Sequence, residues 1–126
     1  MKNIQLLTAA VIIVVIASAY GIYPGKILPQ FFDFKVDTTD LKEVFRATMG
    51  LYAGMAFLWS LGIFRSRYWK TATISSIVFM GGLAAGRLIS FILDGMPSVL
   101  FLIGFVIEMA LALWGYVNLK KYGEDN

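Results

Sequence analysis

Charged residues fall in clumps along this chain, and the runs between them are long enough to cross a bilayer. From Ile4 to Tyr23 there is no charged side chain. At about 1.5 Å of rise per residue, such a run covers a hydrocarbon core of roughly 30 Å as a helix. The apolar pattern resumes after Asp40 and continues to Phe64; Asp40 followed by Glu43 gives a helix start whose acidic groups meet the positive end of the dipole. A third run extends from Tyr68 to Leu93, broken in its interior by Arg87, and a fourth from Ser98 to Leu119, broken by Glu108. The pattern predicts one all-α domain over residues 1–126, with transmembrane helices at 4–23, 40–64, 68–93 and 98–119 in an up-down-up-down bundle.

The connections are predicted from their breakers. Pro24-Gly25 ends the first helix, and Pro29 keeps the segment between Lys26 and Thr39 from forming one continuous helix. Residues 24–39 therefore read as a loop whose interleaved Phe31, Phe32, Phe34, Asp33 and Lys35 suit the headgroup boundary of the outer surface. Asp94-Gly95-Met96-Pro97 reads as a tight turn with Gly at a positive φ. Lys2 ahead of an apolar run and the small residues Ala17-Ser18-Ala19 also fit a cleavable signal peptide, but the run is long for one and is read as a retained helix.

Composition agrees with lipid as the solvent: 59% of the 126 residues are hydrophobic and 15% charged, too apolar for a small globule to hide from water. The net charge of +3 is spread over helix ends and short connections, the distribution of membrane topology and not of a nucleic-acid surface. Lys2, Arg65, Arg67, Lys70, Lys120 and Lys121 share one face of the alternating bundle, against Lys26, Lys35 and Lys42 on the other. By the positive-inside rule both termini are expected in the cytoplasm, the membrane being the bacterial inner membrane. Trp59, Tyr68, Trp69, Trp114, Tyr116 and Tyr122 at one side, with Tyr20 and Tyr23 at the other, read as interfacial anchors.

The absence of Cys and His excludes thiol nucleophiles, thiolate and imidazole metal sites and histidine-based triads. What chemistry remains lies in five charged residues on the outer half: Glu43, Arg46, Arg87, Asp94 and Glu108. Helix rise puts Arg46 and Arg87 roughly 9 and 10 Å from their outer ends, and Glu108 about 15 Å in. An isolated charge at such depth is expensive, which predicts pairing of Glu108 with Arg87 or Arg46 and leaves Glu43 and Asp94 at the mouth. This cluster reads either as an interhelical clamp, as the floor of an outward-facing site for an anionic head group, or as a proton carrier at Glu108. Gly50 and Gly54, Gly82 and Gly86 with Ser90, and Gly104 four residues before Glu108 are spaced for close helix packing, or for a glycine-lined slot or a homo-oligomer surface.

Three stretches carry a family resemblance: Phe45-Arg46-Ala47-Thr48-Met49-Gly50-Leu51-Tyr52, Phe79-Met80-Gly81-Gly82-Leu83-Ala84-Ala85-Gly86-Arg87 with Ser90, and Asp94-Gly95-Met96-Pro97-Ser98. Together with Tyr20-Gly21-Ile22-Tyr23-Pro24, Leu28-Pro29 and Glu108, the chain resembles, over nearly its whole length, an uncharacterised family of small bacterial four-helix membrane proteins known as a domain of unknown function. The resemblance implies a fold and a recurring arginine and glycine pattern, and no activity. From the residues, the expected function is binding of an amphiphile, a membrane lipid or an anionic head group, through Arg46 and Arg87 with Glu108 as counter-charge. Its rivals are a noncatalytic subunit of a larger membrane complex and a component of a proton-coupled transporter. Ser90, Ser98 and Tyr52 have no recognisable activating base, no catalytic residue is assigned, and no metal, nucleotide or other cofactor is implied.

Overall fold

The computed structural model describes residues 2–123; residues 1 and 124–126, the extremes of the expected domain, lie outside the description. Its elements are α1 (Ile4–Gly21), α2 (Pro24–Phe31), α3 (Thr39–Phe64), a 3₁₀ turn (Ser66–Tyr68), α4 (Trp69–Asp94) and α5 (Val99–Tyr122). Four of them, α1, α3, α4 with its leading turn, and α5, are long and apolar enough to cross a membrane, as in a multi-pass membrane protein. No strand occurs among the described residues.

Local chemistry explains the helix ends. Thr38 caps α3, its Oγ1 accepting the Leu41 N–H at 3.1 Å, while Asp40 lies in the first turn. The cap thus sits two residues before the expected start at Asp40. Gly95 ends α4 at φ 93°, a conformation that only glycine adopts without strain, as the turn sequence predicts. Ser98 then precedes α5.

The segment after α1 departs from the expected loop. α1 stops at Gly21, and Pro24 opens α2 as its first residue, where a missing N–H costs nothing. Pro29 lies inside α2, where it cannot give an N–H to Gly25. Pro24 and Leu28 on α2, and Val36 beyond it, are buried, so this short helix is folded onto the others. Phe32 stacks on Phe101 of α5 at 4.4 Å and Phe34 on Phe45 of α3 at 5.8 Å, fastening the segment at both sides.

The core forms where α1 packs on α3, α3 on α4, and α4 on α5. Leu6, Ala9, Ile13 and Ala17 repeat along one face of α1 and meet Tyr52, Ala56 and Trp59 of α3 in a single buried cluster. Trp59 and Trp69, expected as interfacial anchors, are both 0% exposed. Each indole N–H has an acceptor inside: Trp59 Nε1 donates to Ser75 Oγ (3.1 Å) and Trp69 Nε1 to the Lys2 carbonyl (3.4 Å). That satisfaction is what permits such large amphipathic rings in the interior.

Helix approach is closest at glycines other than those the spacing singles out. A Cβ at Gly21 would collide with Met49, one at Gly62 with the Ala72 Cβ, and one at Gly115 with Ile77 at 2.9 Å and Gln5 at 3.1 Å. At Gly50, Gly54, Gly82 and Gly86, by contrast, a Cβ would meet nothing within 4 Å. Those four glycines lie on uncovered surface.

Candidate functional site

Gln5 ties α1 to α4 and α5 near one end of the bundle. It is fully buried, and its Nε2 donates to the Leu111 carbonyl at 3.0 Å and to Ser76 Oγ at 3.3 Å. Gly115 gives the amide the room it needs. Beyond that point α1 and α5 leave a gap of about 290 Å³, close to the lower bound of small-ligand pockets, roughly 300–1,000 Å³.

Ile12, Ile16 and Tyr20 of α1 form one wall of this slot, and Phe101, Gly104 and Ile107 of α5 the other. Leu28 of α2 and Phe32 just beyond it close one end, while Met80 and Arg87 of α4 contribute from behind. Lining residues Val15, Leu100 and Ile103 are also exposed on the protein surface, so the slot opens sideways between α1 and α5. Its walls are aliphatic and aromatic apart from the Tyr20 hydroxyl and one ion pair.

That pair is Arg87 with Glu108. Arg87 Nε donates to Oε1 at 2.7 Å and Nη2 to Oε2 at 3.1 Å, a two-pronged bond between α4 and α5. Glu108 is only 5% exposed, and both its oxygens are satisfied by the same guanidinium. The guanidinium also lies over the Phe101 ring, 5.4 Å from its centroid. Gly104 leaves the space beside it: a Cβ there would stand 3.8 Å from Arg87 Cζ and Nη2, an ordinary contact.

The remaining neighbours are aromatic. Tyr20 lies tilted against Tyr52 (5.8 Å) and edge-on to Phe45 (5.6 Å), and Tyr52 meets Phe79 edge-on at 5.2 Å. Both phenols stand close enough to Arg87 to interact with it electrostatically. Three helices therefore meet at the guanidinium, α1 through Tyr20, α5 through Glu108 and Phe101, and α4 through Arg87 itself, while Tyr52 of α3 stands behind Tyr20.

Of the five charged residues singled out by depth, the structure brings Arg87 and Glu108 together and leaves the other three apart. Arg46 is exposed on α3, has no ion-pair partner among the described residues, and does not line the slot. Its depth along α3 matches that of Arg87 along α4, but its side of the helix faces away. Glu43 is likewise exposed. Asp94 accepts a hydrogen bond from Ser90 Oγ at 2.9 Å, one helical turn back, which spends Ser90 locally and not on helix packing. Gly104 lines the slot, whereas Gly50, Gly54, Gly82 and Gly86 do not.

Tyr20, Phe101 and the α2 lid were not among the expected site residues. Their signal was present as aromatic residues at the ends of predicted helices, but aromatics there have a simpler reading as anchors. Among the described residues no group of three or more His, Cys, Asp or Glu side chains converges to hold a metal ion.

Residues 1–119 match the model of the family described as a domain of unknown function, DUF4345, and the chain belongs to that family. Comparison with curated proteins and with solved structures gives no match.

Proposed function

We propose that this protein binds the chain of an amphiphile in the slot between α1 and α5, with the head group at the open edge of Arg87. The observation that carries this reading is a laterally open, almost wholly apolar cavity with a single bidentate ion pair set into its wall. Ligand pockets combine apolar lining with a few placed polar groups in this way. A guanidinium has five N–H donors, and Glu108 takes two of them. The rest remain for the Tyr20 phenol or a guest.

Membrane placement supports the same reading. With α1, α3, α4 and α5 crossing in alternation and both termini in the cytoplasm of a bacterial inner membrane, α2 lies on the outer side and the slot opens into acyl chains. A lipid would enter sideways without leaving the hydrocarbon. Glu108 lies about 14 Å along α5, so the pair sits below the outer surface near mid-depth.

A second reading, docking onto a larger membrane complex or a second copy, draws on the uncovered glycines Gly50, Gly54, Gly82 and Gly86. Glycine surfaces of this kind let helices approach closely in lipid. The two readings are tested by native mass spectrometry of gently extracted protein. A small-molecule adduct that disappears in folded Arg87→Ala supports the binder; a fixed-stoichiometry assembly without any adduct supports the subunit.

A further inference from the structure

Charge decides which head group the slot accepts. Among the described residues, Arg87 and Glu108 are the only ionisable side chains lining it apart from the Tyr20 phenol, and each cancels the other through two short hydrogen bonds. The slot therefore holds a strong hydrogen-bond donor with no net positive charge. Building on the reading of this slot as an amphiphile site, we propose that it selects an uncharged head group bearing acceptor oxygens, such as an ester, alcohol or ring carbonyl, over an anionic one.

The argument follows from where a head group can stand. Phe101 occupies one face of the guanidinium, and Glu108 occupies the edge formed by Nε and Nη2. A guest must use the remaining edge, shared with the Tyr20 phenol and belonging to the same guanidinium that Glu108 holds. An anion there gains from Arg87 but is repelled by Glu108 in a region of low dielectric, where neither charge is screened by water. A neutral carbonyl or hydroxyl oxygen accepts the same N–H groups and meets no such repulsion. Displacing Glu108 to make room for an anion would strand a carboxylate that is 5% exposed and has no other partner in the hydrogen-bonding pattern. The rings of Tyr20 and Phe32 add flat surface to the lining of the slot.

The experiment uses two amphiphiles with matching tails, monolaurin as the neutral probe and dodecyl phosphate as the anionic one, titrated against the full chain held in amphipol. The wild type is expected to bind monolaurin about tenfold or more tightly than dodecyl phosphate. Glu108→Gln keeps the size and one acceptor but removes the negative charge, and is expected to reverse the order, with dodecyl phosphate gaining about tenfold. Dodecyl phosphate ahead in the wild type overturns the charge selection and leaves the amphiphile reading standing; so does an unaltered ranking in folded Glu108→Gln. If neither probe binds the wild type, both are overturned. The wild-type ranking needs no variant, so misfolding of Glu108→Gln does not remove the test.

Discussion

Arg87 on α4 and Glu108 on α5 hold each other edge to edge, at 2.7 and 3.1 Å, in a wall that is otherwise apolar. Removing either partner leaves the other's charge desolvated, at a cost of about 3–5 kcal/mol for a buried pair. Replacing both by apolar residues removes charge and desolvation penalty together. Arg87→Ala and Glu108→Ala are each expected to lower the melting temperature in detergent more than the double variant Arg87→Met/Glu108→Leu. Wild-type stability in all three would mean that the pair contributes nothing to the fold.

The two classes of glycine predict opposite outcomes. Gly62→Ala drives a methyl into the Ala72 Cβ and should destabilise by about 1–3 kcal/mol, the range for overpacking. Gly82→Ala places its methyl in open space and should be neutral or stabilising by up to ~1 kcal/mol, the helix-propensity gain of alanine over glycine. Thermal unfolding of both variants checks this. Loss of a higher-order assembly in Gly50→Leu or Gly82→Leu would show that these surfaces hold a second chain.

Tryptophan burial gives a spectroscopic and energetic contrast. Trp59 and Trp69 are 0% exposed, whereas Trp114 is 38% exposed. Trp59→Ala is expected to cost about 3–5 kcal/mol, as for other buried aromatic truncations. Trp114→Ala should cost much less. Single-tryptophan variants should also show Trp59 shielded from aqueous and lipid-borne quenchers and Trp114 open to one of them.

The chain has no native cysteine, which makes topology measurable with single substitutions. Ser66→Cys should be labelled by an impermeant thiol reagent from the cytoplasmic side only, and Met96→Cys from the opposite side only. Labelling of both from one side would break the alternation of spans on which the orientation rests.

Much of this architecture was legible because lipid imposes a simple rule: runs free of charge and long enough to cross stand out. The four long helices begin and end within a few residues of the predicted limits, and Gly95 was readable from the turn sequence around it. The failures have a common cause. Depth along a helix follows from counting residues, but rotation about its axis does not follow when nearly every face is apolar. Arg46 and Arg87 lie at similar distances from their helix ends, yet only Arg87 turns toward Glu108. The same ambiguity hid Trp59 and Trp69, which can serve as anchors or as core, and Gly62 and Gly115, which do not fall in a four-residue repeat. α2 forms across Pro29, where the sequence rule for prolines points to a loop, in a helix that Pro24 opens and buried Leu28 anchors.

The most direct test of the slot fills it while leaving both charged residues in place. Gly104 lines the cavity beside Arg87, and a Cβ there makes only ordinary contacts, so the added bulk of Gly104→Leu extends into the void. Titrating monolaurin into folded wild type and Gly104→Leu by native mass spectrometry should give a saturable one-to-one adduct with the first and little or none with the second. Undiminished adduct formation by Gly104→Leu, or none by the wild type, would contradict the account.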